Sequence, residues 1–260
     1  MTSVASQISI PHKYYADTNS IVDFIRLTKA NAILAAGWHH IIPKRIRSLL
    51  EIPCLGLHAS LLPRYRGGAP LNWALLNGDE EAGVTVFELA DGVDAGPIFG
   101  QKRILVTPED DIGSLVEKAE VAFLELLHEI IPGVISGEIT PYEQEGPPSY
   151  SLQRFPEDGH IKWEMSAQKI ARLVRATTRP YPGAYFHLDG IEFRLWKAAV
   201  VEYEIFGSPG QIASMKRSAY PMVVTGKGVL ELQEVTMSGG NDAIEFLRKC
   251  HNQKIVGVNS

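Results

Sequence analysis

His58 and Asp94 are the two side chains whose surroundings best suit chemistry. His58 closes the apolar run CLGLH and opens the loop ASLLPRYRGGAP, which carries Pro63, Pro70 and the adjacent glycines Gly67 and Gly68. An imidazole at the end of a buried strand can face a cleft, and because it changes charge near neutral pH it can give or take a proton there. Asp94 lies in ADGVDAGP, where Gly92 and Gly96 free the backbone for a close approach to another group. The same residue types also suit a half-buried core histidine and a turn aspartate bonded to its own backbone, so the residues taken singly leave both readings open. A metal centre built from His39, His40, His58 and Asp94 is not expected: adjacent histidines in an extended chain point to opposite sides, and no HExxH-like spacing occurs. Cys54 and Cys250 are far apart and form no CxxC pair, which predicts plain buried thiols.

As a longer stretch, HASLLPRYRGGAPLNW followed by GVTVFELADGVDAGPI resembles the signature of the N10-formyltetrahydrofolate-dependent formyltransferases. The resemblance continues through GEITPYEQEG, IKWEMSAQKIARLVRATTRPYPGAYF, SPGQI and TGKGVLELQEV, and so covers nearly the whole chain from about residue 30. It implies transfer of a formyl group from the co-substrate 10-formyltetrahydrofolate to an acceptor amine, with no metal. His58 and Asp94 fall on the family's catalytic histidine and carboxylate. Attack of an amine on the formyl carbon makes a tetrahedral oxyanion, and an imidazolium beside it both stabilises the charge and donates a proton to the leaving nitrogen. A carboxylate close to that ring favours its charged form and fixes its orientation. The resemblance also places His40, Ile41 and Ile42 on one side of the folate ring, with Ser60, Leu61, Leu62 and Pro63 and the loop Ala90, Asp91, Gly92 and Val93 on its other sides. Apolar walls with backbone donors suit a pterin, while Ile41 and Ile42 equally suit simple core packing.

The chain departs from the family pattern twice. The pattern usually reads Asn-x-His, the amide donating to the developing oxyanion, and Gly56 stands at that position. Loss of one such donor costs about 2.7 to 4 kcal/mol of transition-state stabilisation. An ordered water or a backbone N–H is expected in the vacated space, and two alternatives to transfer follow: a formyltetrahydrofolate hydrolase, or a folate-binding, non-catalytic paralogue. Second, family members begin with a strand-helix-strand unit ahead of the point where SQISIPHKYYADTNS stands, so the first strands of the sheet are expected to be lacking. AILAAGW would then present an edge that a second copy could pair, giving a homo-oligomer. For the acceptor, GGAPLNWALLNGD resembles the 4-amino-4-deoxy-sugar formyltransferases, although Gly68 stands where some of those carry an arginine. Lys216, Arg217, Arg248, Lys249 and Lys254 are available to a tRNA, although the hairpin ends in TMSGGND and not in a lysine-rich loop. The acceptor is therefore expected to be either methionyl-tRNA or a 4-amino-4-deoxy nucleotide sugar, with the methionyl-tRNA formyltransferase-like reading first.

The elements that must position these residues follow α/β logic. TNSIVDFIRLTKA reads as a helix, ANAILAAGW as a strand, PKRIRSLL as a short helix and IPCLGLH as a second strand. GVTVFEL and PIFGQKRILV supply a third and a fourth strand around the turn ADGVDAG. TPEDDIGSLVEKAEVAFLELLHEIIPG is the clearest helix, with Thr107 or Asp110 as its cap, Ile112 to Ile130 at helical spacing, and Pro132 and Gly133 as its end. Residues 141–159, rich in Pro, Gly and charge, read as the boundary between a domain over residues 1–150 and a second over 160–260. The second comprises the helix SAQKIARLVRAT, a hairpin turning at Asp189-Gly190 and a second hairpin in PMVVTGKGVLELQEV, together a small antiparallel unit expected to form an OB-like barrel. The expected fold is thus a Rossmann-like domain followed by an antiparallel β unit.

The whole chain fits this picture. Its 260 residues allow one large domain or two small ones, and 45% apolar with 21% charged residues is ordinary globular composition. A net charge of −5 provides no general field for phosphate backbones, which favours a small-molecule partner. No apolar run reaches the roughly 18 residues that span a bilayer and the N-terminus lacks a signal-peptide pattern, so a cytoplasmic location is expected.

Overall fold

The computed structural model describes residues 17–255 apart from 39, 217 and 238. The expectations for SQISIPHKYY, His39 and Arg217 lie outside the described residues. In chain order the elements are α1 (Thr18–Thr28), β1 (Leu34–Ala35), α2 (Lys44–Arg47), β2 (Leu55–His58), β3 (Arg66–Gly67), α3 (Pro70–Asn77), β4 (Glu81–Glu88), β5 (Ile98–Leu105), α4 (Ile112–Ser136), β6 (Tyr150–Ser151), α5 (Ala167–Thr177), β7 (Ala184–Leu188), β8 (Ile191–Val201), β9 (Ile212–Ala213), β10 (Met222–Val224), β11 (Val229–Met237) and α6 (Ile244–Lys249). They cluster into two units, one of residues up to Gly67, Gly83–Arg103 and Val121–Tyr150, the other of Gly68–Ala82, Ile104–Glu120 and the chain from Ser151 onward.

The first unit holds a four-stranded sheet in the order β1-β2-β4-β5. β1 runs parallel to β2, as a helix-linked pair requires, whereas β4 runs antiparallel to β2 with Gly56 opposite Phe87 and His58 opposite Thr85. The alternation of side chains puts residues 56 and 58 of β2 on one face, together with positions 85 and 87 of β4. β1 is much shorter than the run ANAILAAGW suggested: only Leu34 and Ala35 pair, and Gly37 turns the chain at φ +60. α1 starts as its sequence predicts. The Asp17 carboxylate accepts the Ser20 N–H at 2.8 Å, and the Ser20 hydroxyl oxygen accepts the Asp17 N–H in return, a reciprocal cap.

α4 departs from expectation at both ends. Its cap is Asp111, which accepts the Ser114 N–H at 3.0 Å, instead of Thr107 or Asp110. Asp110 is buried and instead accepts from the Thr107 N–H, the Ser114 hydroxyl and the Lys118 ammonium. At the far end the helix continues through Pro132 and Gly133 to Ser136. Ile130 and Val134, four residues apart on one face, are both buried, and that burial carries the helix past the missing proline N–H. The turn comes at Gly137, at φ +75.

The second unit is built on a five-stranded antiparallel sheet in the order β7-β8-β11-β10-β9. The Asp189-Gly190 turn joins β7 to β8 with both residues at positive φ, as a two-residue hairpin demands. α5, capped by Ser166, lays Ile170, Leu173 and Val174 into a core with Trp163, Phe186, Phe193, Leu195, Leu230 and Leu232. Phe186 and Phe193 stack at 5.3 Å between ring centres. Among the described residues β7 and β9 are the outer strands and no pairing joins them, so the unit is an antiparallel sheet and not the closed OB-like barrel expected from its hairpins. α3 packs in this unit too: the buried Asn72 amide donates to the Ala176 carbonyl in the last turn of α5 at 2.8 Å. No helix among the described residues is long and apolar enough to cross a membrane.

Candidate active site

β2 delivers His58 to its own C-terminal end, where the side chain is only 8% exposed. The ring is held at both nitrogens. Nε2 lies 2.7 Å from the Tyr65 carbonyl oxygen, and because a carbonyl only accepts, that nitrogen carries a proton. Nδ1 lies 3.4 Å from Asp94 Oδ2, a long contact for a charge-assisted hydrogen bond. The structure thus brings together the two residues that the sequence placed 36 positions apart.

Asp94 owes its position to its loop. It sits in the left-handed region at φ +46, a conformation aspartate tolerates better than most residues, and Oδ2 also accepts the Gly67 N–H at 2.8 Å. Gly96 is required by close approach, since a Cβ there would lie 1.8 Å from the Glu88 carbonyl oxygen. Gly92 is under less pressure, with 3.0 Å to the nearest atom. The loop is gripped from outside by Gln144, whose amide donates to the Asp94 and Gly96 carbonyls, both at 2.8 Å, while its carbonyl oxygen accepts from Arg66 at 2.6 and 3.1 Å. Gln144 lies in the stretch whose composition reads as a boundary, and nothing in that composition singles it out.

The loop after His58 is fixed by a second polar cluster. The Thr85 hydroxyl donates to the Ser60 carbonyl at 2.6 Å and accepts the Leu62 N–H, while the Gln101 amide donates to the Leu62 carbonyl and to Thr85 Oγ1. Ser60 is buried and donates to the Arg64 carbonyl at 2.5 Å; Leu62 is buried, whereas Leu61 and Pro63 are half-buried. Of the other residues expected to hold folate, His40 is exposed and meets the Trp38 ring edge-on, Ile41 is 73% exposed and Ile42 is in the core. Ala90 is half-buried, Asp91, Gly92 and Val93 are exposed, and Asp91 pairs with Arg47. Ile41 and Val93 present apolar side chains to solvent, one from each loop.

Next to Gly56 the space is tight: a Cβ there would lie 2.6 Å from the Phe87 ring and 2.7 Å from Leu89 Cδ2. Phe87 is buried with Leu62 and Ile98, Leu89 packing against them, so the face of β2 beside His58 is closed by an apolar cluster. Cys54, the neighbouring thiol, is buried too; burial, partly offset by the Arg47 charge, pushes its pKa to about 11, so it is inert as a nucleophile near neutral pH. Among the described residues no group of acidic, histidine and cysteine side chains is arranged to hold a metal.

A buried histidine set against a loop carboxylate, on a short α/β sheet with an antiparallel unit elsewhere in the chain, agrees with the family comparison. The formyl transferase family model matches residues 4–135 and the model of that family's C-terminal domain matches 154–249, so the chain belongs to the formyl transferase family. It is 36% identical over 235 residues to the methionyl-tRNA formyltransferase of Agathobacter rectalis, covering 88% of this chain and 74% of that protein. Two solved structures share the fold: HypX from Aquifex aeolicus in complex with tetrahydrofolic acid (TM-score 0.67, 22% identity, 87% of this chain) and an N-formyltransferase from Helicobacter canadensis with folinic acid and dTDP-3-aminofucose (TM-score 0.56, 20% identity, 69% of this chain and 65% of that one). The chain spans 39% of the length of that HypX.

Proposed function

We propose that this protein transfers the formyl group of 10-formyltetrahydrofolate to the amine of methionyl-tRNA, with residues 1–150 carrying the chemistry and 160–260 the remaining acceptor contacts. The observation that carries the reading is the His58 ring held between the Tyr65 carbonyl and the Asp94 carboxylate. Nε2 is committed to a 2.7 Å bond with the Tyr65 carbonyl, whereas Nδ1 faces Asp94 across 3.4 Å and is the nitrogen through which a proton can move to substrate. The acceptor amine attacks the formyl carbon, and the imidazolium sits beside the oxyanion that forms. Collapse breaks the bond to N10 of the folate, which takes the proton from His58, and the attacking nitrogen loses its own proton through Asp94. With Phe87 filling the place beside Gly56, the charge on His58 bears more of the oxyanion stabilisation. Folate is placed between Ile41 and Val93 and against Leu61 and Pro63. Methionyl-tRNA is preferred over a nucleotide sugar because the chain's identity to a methionyl-tRNA formyltransferase is 36%, against 20% to the enzyme with the bound amino sugar.

The test is an assay of the purified full chain with 10-formyltetrahydrofolate and either methionyl-tRNA or a dTDP-amino sugar, following tetrahydrofolate release and the formylated product. Formylmethionyl-tRNA is the expected product, and His58→Asn should lower its rate by about 10² to 10⁴, the range of a lost general acid. Formate without a formylated amine would replace transfer with hydrolysis, and a formylated sugar alone would move the acceptor to the second class.

A further inference from the structure

We infer that Arg47 is a positioning residue that sets the spacing of the two loops proposed to hold the folate; the inference rests on that reading of the loops. One guanidinium reaches both. Nε donates to the Ile42 carbonyl at 3.1 Å and Nη1 to the Leu89 carbonyl at 2.7 Å, while Nη2 pairs with the Asp91 carboxylate. The Arg47 side chain is 16% exposed although Asp91 is 79% exposed, so the fork is sunk between the loops and only its acidic partner faces solvent. Its base is firm: α2 is a single turn, and Ile46 beside it is fully buried. A planar fork with five N–H donors can serve three acceptors in fixed directions, which a lysine ammonium on a flexible stem does not reproduce.

Leu89 is also tied to the sheet by its N–H, which donates to the Cys54 carbonyl at 2.8 Å, but Arg47 is the side chain that bonds both loops at once, and its bonds go to Ile42, Leu89 and Asp91 and not to His58 or Asp94. Those two are held by other groups, the Tyr65 carbonyl, the Gly67 N–H and Gln144. Arg47 then governs how tightly folate is held, and the proton transfer at His58 proceeds without it.

The full-length chain and its Arg47→Ala, Arg47→Lys and Asp91→Asn variants separate these roles. In Arg47→Ala, amide hydrogen exchange over residues 89–93 should quicken by about tenfold or more, because the carbonyl and carboxylate of that loop lose their partner. The Kd for 5-formyltetrahydrofolate by calorimetry and the KM for 10-formyltetrahydrofolate should rise by about tenfold while kcat stays within about threefold, with Arg47→Lys recovering only part of the loss. Asp91→Asn, which keeps both carbonyl bonds, should raise Kd by roughly two- to fivefold. Unchanged exchange and unchanged Kd in Arg47→Ala, or a fall in kcat at constant KM, overturns the inference. Should that variant not fold, unaltered exchange and Kd in both other variants overturn it equally. A wild-type chain that binds no folate, with exchange at 89–93 still faster without Arg47, refutes the folate reading and leaves the loop spacing assigned to Arg47.

Discussion

Restoring an asparagine at position 56 is the simplest way to ask how the site beside His58 is built, and the packing predicts that it fails alone. The new Cβ falls 2.6 Å from the Phe87 ring, and overfilling a packed core in this way costs about 1 to 3 kcal/mol. Phe87→Ala opens the space at its own cost of about 3 to 5 kcal/mol, and the two changes together should be less destabilising than their sum by about 1 kcal/mol or more. Urea denaturation of the four proteins of the cycle measures this, and strict additivity would show that Phe87 does not occupy the place. His58 and Asp94 were singled out by the resemblance of HASLLPRYRGGAPLNW and GVTVFELADGVDAGPI to the family signature, since their loops taken singly left a core histidine and a turn aspartate equally open. The occupant of the Gly56 space was not. A glycine in a strand signals a close approach by something, and only the β2–β4 register, Gly56 opposite Phe87, says what. Arg47 was hidden for a similar reason: in PKRIRSLL it is one of three basic residues, and its role depends on Leu89 and Asp91, more than forty positions away.

Among the elements, the start of α4 carries the clearest pH dependence. Burial pushes the Asp110 carboxyl up, but bonds from Lys118, the Thr107 N–H and Ser114, with the Lys118 charge, outweigh it and hold the pKa at about 2 against an ordinary 3.8. A carboxyl whose folded pKa is depressed adds stability that is fully present above its unfolded value and is lost as pH falls through the folded one. The advantage of the wild-type chain over Asp110→Asn should therefore be constant above about pH 4.5 and close as pH falls toward 2, the variant melting about 3 °C or more lower at pH 7. Melting curves at several pH values decide it; a gap that does not narrow in acid would show that the carboxylate charge is not what matters. The body of α4 was plain from its helical spacing, yet both its ends were misplaced. Capping by Asp111 depends on which of two adjacent aspartates takes the Ser114 N–H, since Asp110 takes the Ser114 hydroxyl, and passage through Pro132 depends on burial of Ile130 and Val134. Local sequence favours a stop there, and tertiary packing overrides it.

For the whole molecule, a net charge of −5 gives a nucleic-acid acceptor no general attraction, so the proposed binding of methionyl-tRNA would have to rest on a local set of phosphate contacts. Raising salt from about 50 to 200 mM should then increase the KM for methionyl-tRNA by about tenfold or more while the KM for 10-formyltetrahydrofolate stays within about threefold. Steady-state kinetics across that range test it, and a salt-independent acceptor KM would point to a small amine instead. At this scale the α/β unit and the two hairpins of the antiparallel unit were readable from period and turn residues. The expected closure into a barrel was not, because closure depends on whether β7 and β9 meet, and no local pattern in either strand encodes that.

Gln144 bears on where this gene can be divided. The match to the first family domain stops at residue 135, and the composition invites a cut a few positions later. A protein ending at 140 would keep every strand of the β1-β2-β4-β5 sheet together with His58 and Asp94, and would still lose the amide that ties down the Asp94 and Gly96 carbonyls. Any shortened version meant to retain the proposed chemistry has to run past Gln144, into a stretch that looks like spacer and serves as a brace.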